Sequence, residues 1–447
     1  MEAPAATEAS VAGRPRRTLG LGSATALVIA SMLGTGIFTT SGFLLADLRS
    51  PWLVLLAWGL GGGVALLGAL SYGALARLIP ESGGEYLFLS RTLHPAAGYV
   101  AGWVSLLVGF SAPLAAAANA LGQYTSGWFP GVSPSITGTV LLVLVSLLHA
   151  WNVRGGASAQ NLAVVVKVLL ITLFIGLGLA RIPGAPAPST EPFSTPAFAM
   201  SLVWISFSYA GWNAVIYLGG EVKDPERNIP RSLILGTLVV TVLYVTINAV
   251  FLLAVPGSVI SGHLEVGRLV ADHLGGPAWA NGVTVLVSLA LFTSVSSLIM
   301  TGPRVYARIA SDGYLPACMA QREGPPRAAI LFQLAVALVM LWTSTYQSLL
   351  SFIGFTLGLS TAATVCGLMR ERVRRGPAMS VPGWPWVPLL FVVAVLAMTG
   401  LSVSRAPLPS LAGMGVLALG GLLWRQGRGR CSNAGIQLEQ RPPGPRP

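Results

Sequence analysis

Two short stretches place small and polar residues where the surrounding sequence is apolar. The first is Ser31-Met32-Leu33-Gly34-Thr35-Gly36-Ile37-Phe38, and the second is Phe207-Ser208-Tyr209-Ala210-Gly211-Trp212-Asn213. A glycine inside a helix costs roughly 1 kcal/mol against alanine. Gly34 and Gly36 therefore weaken the helix that should run through them. In lipid, backbone groups freed by such a break must be met by protein, water or ligand. The chemistry on offer suits a zwitterion. Amides at the start of a half-helix favour a carboxylate, and carbonyls at the end of the preceding half favour an ammonium. Gly34, Thr35 and Gly36 expose the donors. The carbonyls of Met32, Leu33, Phe207, Ser208 and Ala210 are the candidate acceptors, and Gly211 completes the second stretch. Phe207 and Trp212 are large enough to cap or line a cavity. The plainer reading is that the glycines only let another helix pack closely, and that the aromatics are packing or interface residues.

A third candidate is Lys167, alone in Asn161-Leu162-Ala163-Val164-Val165-Val166-Lys167-Val168-Leu169-Leu170. A lysine inside a spanning helix is costly and marks function by default. Its ammonium would do the work of a bound cation by holding the first and eighth helices through carbonyls and hydroxyls, with Ser294, Ser296 and Ser297 as partners. It could also carry a proton. The competing reading is a side chain that snorkels to the nearer membrane face.

The elements that position these residues are membrane helices. Of 447 residues, 53% are hydrophobic and 9% charged, against roughly 25% charged in soluble domains. The net charge of +12 does not point to nucleic acid, because the basic residues fall in short runs between apolar segments. Cys318, Cys366 and Cys431 lie far apart and form no metal or redox spacing. His94, His149, His263 and His273 form no ligand cluster either. No intramembrane carboxylate pair or Ser-His arrangement supports an enzyme, and no cofactor is expected.

A spanning helix needs about 20 apolar residues. Twelve segments meet that rule, at roughly 19–46, 51–78, 96–126, 136–152, 159–181, 196–220, 231–256, 277–310, 327–345, 347–369, 384–404 and 407–425. The expected fold is an all-α membrane protein of 12 transmembrane helices, with 19–425 as the transmembrane domain. Residues 1–18 and 426–447 read as disordered tails. With both termini cytoplasmic, the outer loops hold only Arg49, Arg181, Arg268 and Arg405, as the positive-inside rule asks. The two breaks lie five helices apart. That spacing is the signature of a 5+5 inverted repeat with discontinuous helices 1 and 6. Repeat one covers about 19–181, repeat two about 196–369, and the extra helices about 384–425. Residues 182–195 read as a Pro-rich outer loop, and 264–276 as a short outer amphipathic helix. Pro80 to Tyr86 reads as an inner loop in which Glu85 and Tyr86 begin a short helix. The loop from Glu221 to Arg231 could pair with itself or with another inner loop.

These motifs resemble the amino acid–polyamine–organocation (APC) superfamily, and within it the L-type amino acid transporter branch and bacterial amino acid permeases. Gly34-Thr35-Gly36-Ile37-Phe38 looks like the family's Gly-Ser/Thr-Gly-Ile-Phe, and Pro80 to Tyr86 like its first inner-loop motif. Phe207 through Arg231 is similar to the L-type pattern, and Arg304 through Pro316 to the family's helix 8 end. Lys167 falls where that branch and proton-coupled members carry a lysine. The resemblance implies a leucine-transporter-like fold and alternating access in the plasma (inner) membrane. It implies that Gly34, Thr35 and Gly36 bind the substrate carboxylate. It implies that carbonyls of Met32, Phe207, Ser208 and Ala210 hold the amine, and that Phe207 is an occluding gate. Lys167 then stands in for the sodium ion of sodium-driven relatives, so that transport is sodium-independent.

Two departures qualify this. Ala210-Gly211 stands where L-type members show two glycines, which predicts a bias toward small to medium neutral amino acids. The outer loop 127–135 has no cysteine, so no disulfide-linked heavy chain is expected. The expected partners are thus an amino acid substrate and membrane lipid. The alternatives are a polyamine or amine transporter and a non-transporting amino acid sensor of the same fold. Within transport, exchange and proton symport stay open.

Overall fold

Proline and a capping side chain start many of the helices. In the computed structural model, which describes residues 17–151, 156–182, 193–311, 315–320 and 325–431, Ser50 accepts the Leu53 amide at 3.4 Å ahead of Pro51. His94 accepts the Ala96 amide at 3.1 Å ahead of Pro95. Ser194 accepts the Ala197 amide at 3.4 Å ahead of Pro196. Proline suits a first turn because its missing N–H would be unpaired there anyway. The expected segments 1–16, 183–192 and 432–447 lie outside the described residues, as do 312–314 of the helix 8 end motif.

The helices that follow are α1 Leu21–Met32, α2 Gly36–Leu48, α3 Pro51–Leu78, α4 Gly84–Thr92 and α5 Pro95–Thr125. Next come α6 Pro134–Ala150, α7 Gly156–Leu179, α8 Thr195–Tyr209, α9 Pro225–Leu253 and α10 Val266–Ser311. The last are α11 Arg327–Thr343, α12 Tyr346–Arg375, α13 Trp386–Ser402 and α14 Pro407–Cys431. Among the described residues no strand forms; one parallel bridge joins Leu19 to Val222. Among the described residues, seven helical segments are long and apolar enough to cross a membrane, or eight with the bent pair α1 and α2. Shorter apolar helices occupy Pro134–Ala150, Val165–Leu179, Arg327–Thr343 and Trp386–Ser402. This is an all-helical, multi-pass membrane protein.

Without a hydrophobic drive between helices in lipid, close packing of small residues holds them together. α3 and α9 show it. A Cβ on Gly62 would come within 2.3 Å of the Thr241 methyl, and one on Gly73 within 3.0 Å of Pro230. α1 packs on α9, and α2 on α8, so the two broken regions face each other in the centre. Residues 264–276 are helical from Val266 and kink at Gly276, where φ is +74°. The loop after the second break pairs with other segments rather than with itself alone. The Glu221 carbonyl accepts the Thr18 and Leu19 amides, and the Gly220 amide donates to the Ser82 hydroxyl at 3.0 Å.

Candidate functional site

The first break is real and short. Leu33, Gly34 and Thr35 separate α1 from α2, which bend by 43° across the gap. The Gly34 amide turns back to the Met32 carbonyl at 2.7 Å. The first amides of α2 have no acceptor within their own helix, which is the general condition of helix N-termini. Two carbonyls at the end of α1 are claimed by distant side chains. Lys167 donates from Nζ to the Leu33 carbonyl at 2.7 Å and is only 1% exposed. That rules out snorkelling. Tyr244 of α9 donates to the Met32 carbonyl and lies 3.0 Å from the Ser208 carbonyl. Its single proton is therefore shared between the two breaks. Beyond the gap, Thr39 donates to the Thr35 carbonyl at 3.0 Å and so accepts from the Tyr346 hydroxyl at 2.5 Å.

The second break has different backbone geometry. α8 ends at Tyr209, and the Ala210 amide closes back on the Phe207 carbonyl at 2.9 Å. Ala210 is then extended, with ψ 143°, and Gly211 takes φ +102°. A side chain is strained at that φ, and glycine is not. A 3-10 helix, Ala214–Glu221, continues the chain.

The two breaks cross in direct contact. A Cβ on Gly36 would lie 2.1 Å from the Ser208 hydroxyl and 2.7 Å from Ser208 Cα. A Cβ on Gly211 would lie 2.6 Å from the Ser31 carbonyl. Thr40 and Ser208 join their hydroxyls at 3.2 Å. Gly34 is the exception, since a Cβ there would meet nothing closer than the Met32 carbonyl at 3.8 Å and the Ser294 hydroxyl at 3.9 Å. Met32, Thr35, Gly36, Phe207 and Ser208 are buried, whereas Gly34, Ala210 and Gly211 are partly exposed. The packing reading of the glycines thus holds for Gly36, and the room lies at Gly34.

Other expected residues sort differently. Trp212 packs edge-on against Tyr72, with ring centroids 4.7 Å apart, and against Phe391 at 6.5 Å, so its side chain is a packing element. Ser296 bonds to His149 at 2.9 Å, and Ser294 faces Gly34. Two residues at these contacts went unread in the sequence, namely Tyr244 and Tyr346. For Tyr244 there was a signal, a lone hydroxyl in the apolar run Val242-Leu243-Tyr244-Val245.

A cavity of about 670 Å³ lies beyond the two breaks, on the side of Tyr346. Phe43, Asn119, Gln123, His263, Glu265 and Gln347 are among its lining residues. Phe43 and Tyr346 stack with ring centroids 6.2 Å apart. The Tyr346–Thr39–Thr35 hydrogen bonds connect this cavity to the first break. Among the described residues no cluster of His, Cys, Asp and Glu is placed to hold a metal.

The sequence profile of the amino acid permease family matches residues 19–414, which include both breaks, Lys167 and the helices around them. The chain belongs to the amino acid permease family. This permease is 28% identical to the large neutral amino acids transporter small subunit 2 of Homo sapiens, over 85% of this chain and 74% of the relative. It is 29% identical to the human Asc-type amino acid transporter 1, over 90% of this chain and 80% of that protein. It is 27% identical to the serine/threonine exchanger SteT of Bacillus subtilis, over 86% of this chain and 91% of the relative. These relatives are transporters, and the permease is not an enzyme.

Proposed function

We propose that this permease moves small to medium neutral amino acids by alternating access, independently of sodium, through a site formed where its two helix breaks cross. The observation that carries this is the contact of Gly36 with Ser208 and of Gly211 with Ser31, beside the roomier Gly34. The amides of Thr35 and Gly36 at the start of α2 suit a carboxylate, and the Gly34 amide would join them by leaving the Met32 carbonyl. The carbonyls of Met32, Phe207, Ser208 and Ala210 suit an ammonium, with Phe207 as the occluding residue. Tyr244 already donates to Met32 and Ser208, so a substrate ammonium shares or replaces its hydroxyl there. Lys167, pinned to the Leu33 carbonyl, supplies the fixed positive charge that a bound sodium ion would otherwise supply. Among the relatives, the serine/threonine exchanger favours exchange of small neutral substrates, and the large neutral amino acids transporter favours larger ones.

The wider frame of this proposal is a plasma-membrane protein with 12 spans, both termini cytoplasmic. Its 19–425 transporter domain is a 5+5 inverted repeat (about 19–181 and 196–369) with extra helices at about 384–425. The Lys and Arg distribution and the five-helix spacing of the breaks support it. A cysteine-free loop at 127–135 supports function without a disulfide-linked heavy chain.

The test is uptake of a labelled amino acid panel into proteoliposomes, with and without internal amino acid, a sodium gradient and a pH gradient. Saturable uptake that ignores sodium is expected. Stimulation by internal amino acid identifies exchange, and stimulation by acid outside identifies proton symport. No uptake of any amino acid under any condition would overturn the proposal.

A further inference from the structure

Glu85 is a carboxylate in an unusual place. It sits in the first turn of α4, is 3% exposed, and accepts from three elements at once. Tyr72 of α3 donates to Oε1 at 2.8 Å, Asn213 to the same oxygen at 3.1 Å, and Ser360 of α12 to Oε2 at 3.0 Å. Asn213 stands two residues beyond Gly211, inside the second break. Gly84 lets α4 dock there. It takes φ +59°, and a Cβ on it would come within 2.2 Å of the Tyr217 ring.

No described lysine, arginine or histidine pairs with Glu85. On its own helix and loop, Arg91 is bound to Glu81 at 2.5 Å. From α12, Arg370 donates to the Thr92 and Leu93 carbonyls, and Glu371 pairs with Arg374 and Arg375. From α3, Arg77 is exposed. The titratable groups facing Glu85 are Tyr72 and, from the 3-10 helix, Tyr217.

Resting on the alternating-access reading, we propose that Glu85 is a proton-binding site whose occupancy keeps the second break tied to α3 and α12, so that acid closes this face of the permease and alkali releases it. The proton comes from and returns to water on the α4 side. Oε1 already holds two donors, so the proton binds Oε2, and the Ser360 hydroxyl turns to accept from it. The neutral carboxyl then keeps all three ties at no cost in buried charge. Ionised, it is a buried charge met by three neutral donors and no cation among the described residues, which costs more than burying the neutral carboxyl. Burial pushes the carboxyl above the ordinary carboxylate range, against the opposing pull of the Tyr72, Ser360 and Asn213 hydrogen bonds. The sign follows. A group that binds its proton more tightly in the closed form stabilises that form below the open-form pKa, and the stabilisation is lost as pH rises through the closed-form value. Each unit of difference permits about a tenfold change in the ratio of closed to open.

The experiment is amide hydrogen exchange across 207–221 in the purified, lipid-reconstituted permease, wild type against Glu85→Gln, from pH 5.5 to 8.5. The glutamine mimics the protonated carboxyl, and the ratio of the two rates at each pH cancels the intrinsic pH dependence of exchange. The expected ratio of wild type to variant is near one at the acid end and rises about tenfold toward the alkaline end. A ratio that does not change with pH overturns the proposal. Ser360→Ala serves if Glu85→Gln fails to fold. Loss of a donor to the ionised form should move the wild-type transition to higher pH, and an unmoved transition counts against the site. Uptake measured in parallel separates the two readings. A permease that transports with a flat ratio loses the proton site alone, and one that shows the rising ratio but takes up no amino acid loses the transport reading alone.

Discussion

The two breaks are built to different plans. The first is three residues long, and side chains from elsewhere fix its carbonyls, Lys167 on Leu33 and Tyr244 on Met32. Among the described residues, no cation bonds to the second. It turns through an extended Ala210 and a positive-φ Gly211, and its continuation is tied to Glu85 through Asn213. The difference divides the labour. In the first break the carbonyl end is held by the protein, so what it has left to offer is the amide end, which suits a carboxylate. In the second the Phe207 carbonyl accepts the Ala210 amide, the Ser208 carbonyl shares the Tyr244 hydroxyl, and the continuation is anchored to the polar side chain of Glu85. On the proposed function, the first break serves as the fixed half of the site and the second as the half that moves.

The sharpest way to break that comparison is to put a methyl on each glycine of the first break. Gly36→Ala drives a Cβ into Ser208, where even Cα is only 2.7 Å away. Overpacking of this kind costs roughly 1–3 kcal/mol. Loss of uptake by about 100-fold, with a lowered melting temperature, is expected. Gly34→Ala makes only ordinary van der Waals contacts, at 3.8 Å with the Met32 carbonyl and 3.9 Å with the Ser294 hydroxyl. It should leave the melting temperature alone and raise the half-saturation concentration by about tenfold, because the methyl takes up room beside the amide and weakens a charge-assisted hydrogen bond worth roughly 1.5–3 kcal/mol. Equal effects of the two variants on stability would erase the distinction between the packed and the roomy glycine.

Lys167→Met tests the fixed half. It leaves the Leu33 carbonyl buried without its donor, which costs about 1–3 kcal/mol. Uptake should fall by roughly tenfold or more while the affinity for substrate analogues that lack a carboxylate is unaffected. Wild-type uptake from this variant would remove the lysine from the mechanism. The smallest effect is expected in the second break. Ala210→Gly removes one methyl, worth about 1–3 kcal/mol in a discriminating pocket at most. Competition assays should show the preference moving toward larger neutral side chains by a few-fold to about tenfold. An unchanged preference would take Ala210 out of substrate selection.

The positions of the helices and of both breaks were legible in the sequence because they depend on local composition. Apolar length marks a span, and Gly34-Thr35-Gly36 or Ala210-Gly211 marks its interruption. Lys167 was legible because a charge in lipid needs a reason. What holds the breaks was not legible in the same way. Tyr244 reaches Met32 across 212 positions of sequence, and Ser360 reaches Glu85 across 275. The lone hydroxyl of Tyr244 in an apolar run marks it without saying what it reaches, and nothing local distinguishes a buried loop carboxylate from a solvated one. The sequence leaves Trp212 between two readings, a cavity wall and a packing residue, and its ring packs against Tyr72.

The central claim is that the crossed breaks together receive both charged ends of an amino acid. Its most direct measurement is inhibition of labelled serine uptake in proteoliposomes by three unlabelled compounds: serine, serine amide and N-acetylserine. The account predicts that serine competes, while the amide, which lacks the carboxylate, and the acetylated form, which lacks the ammonium, are each at least about 100-fold weaker, a difference of roughly 2.8 kcal/mol. Competition by either derivative as strong as by serine itself would contradict it.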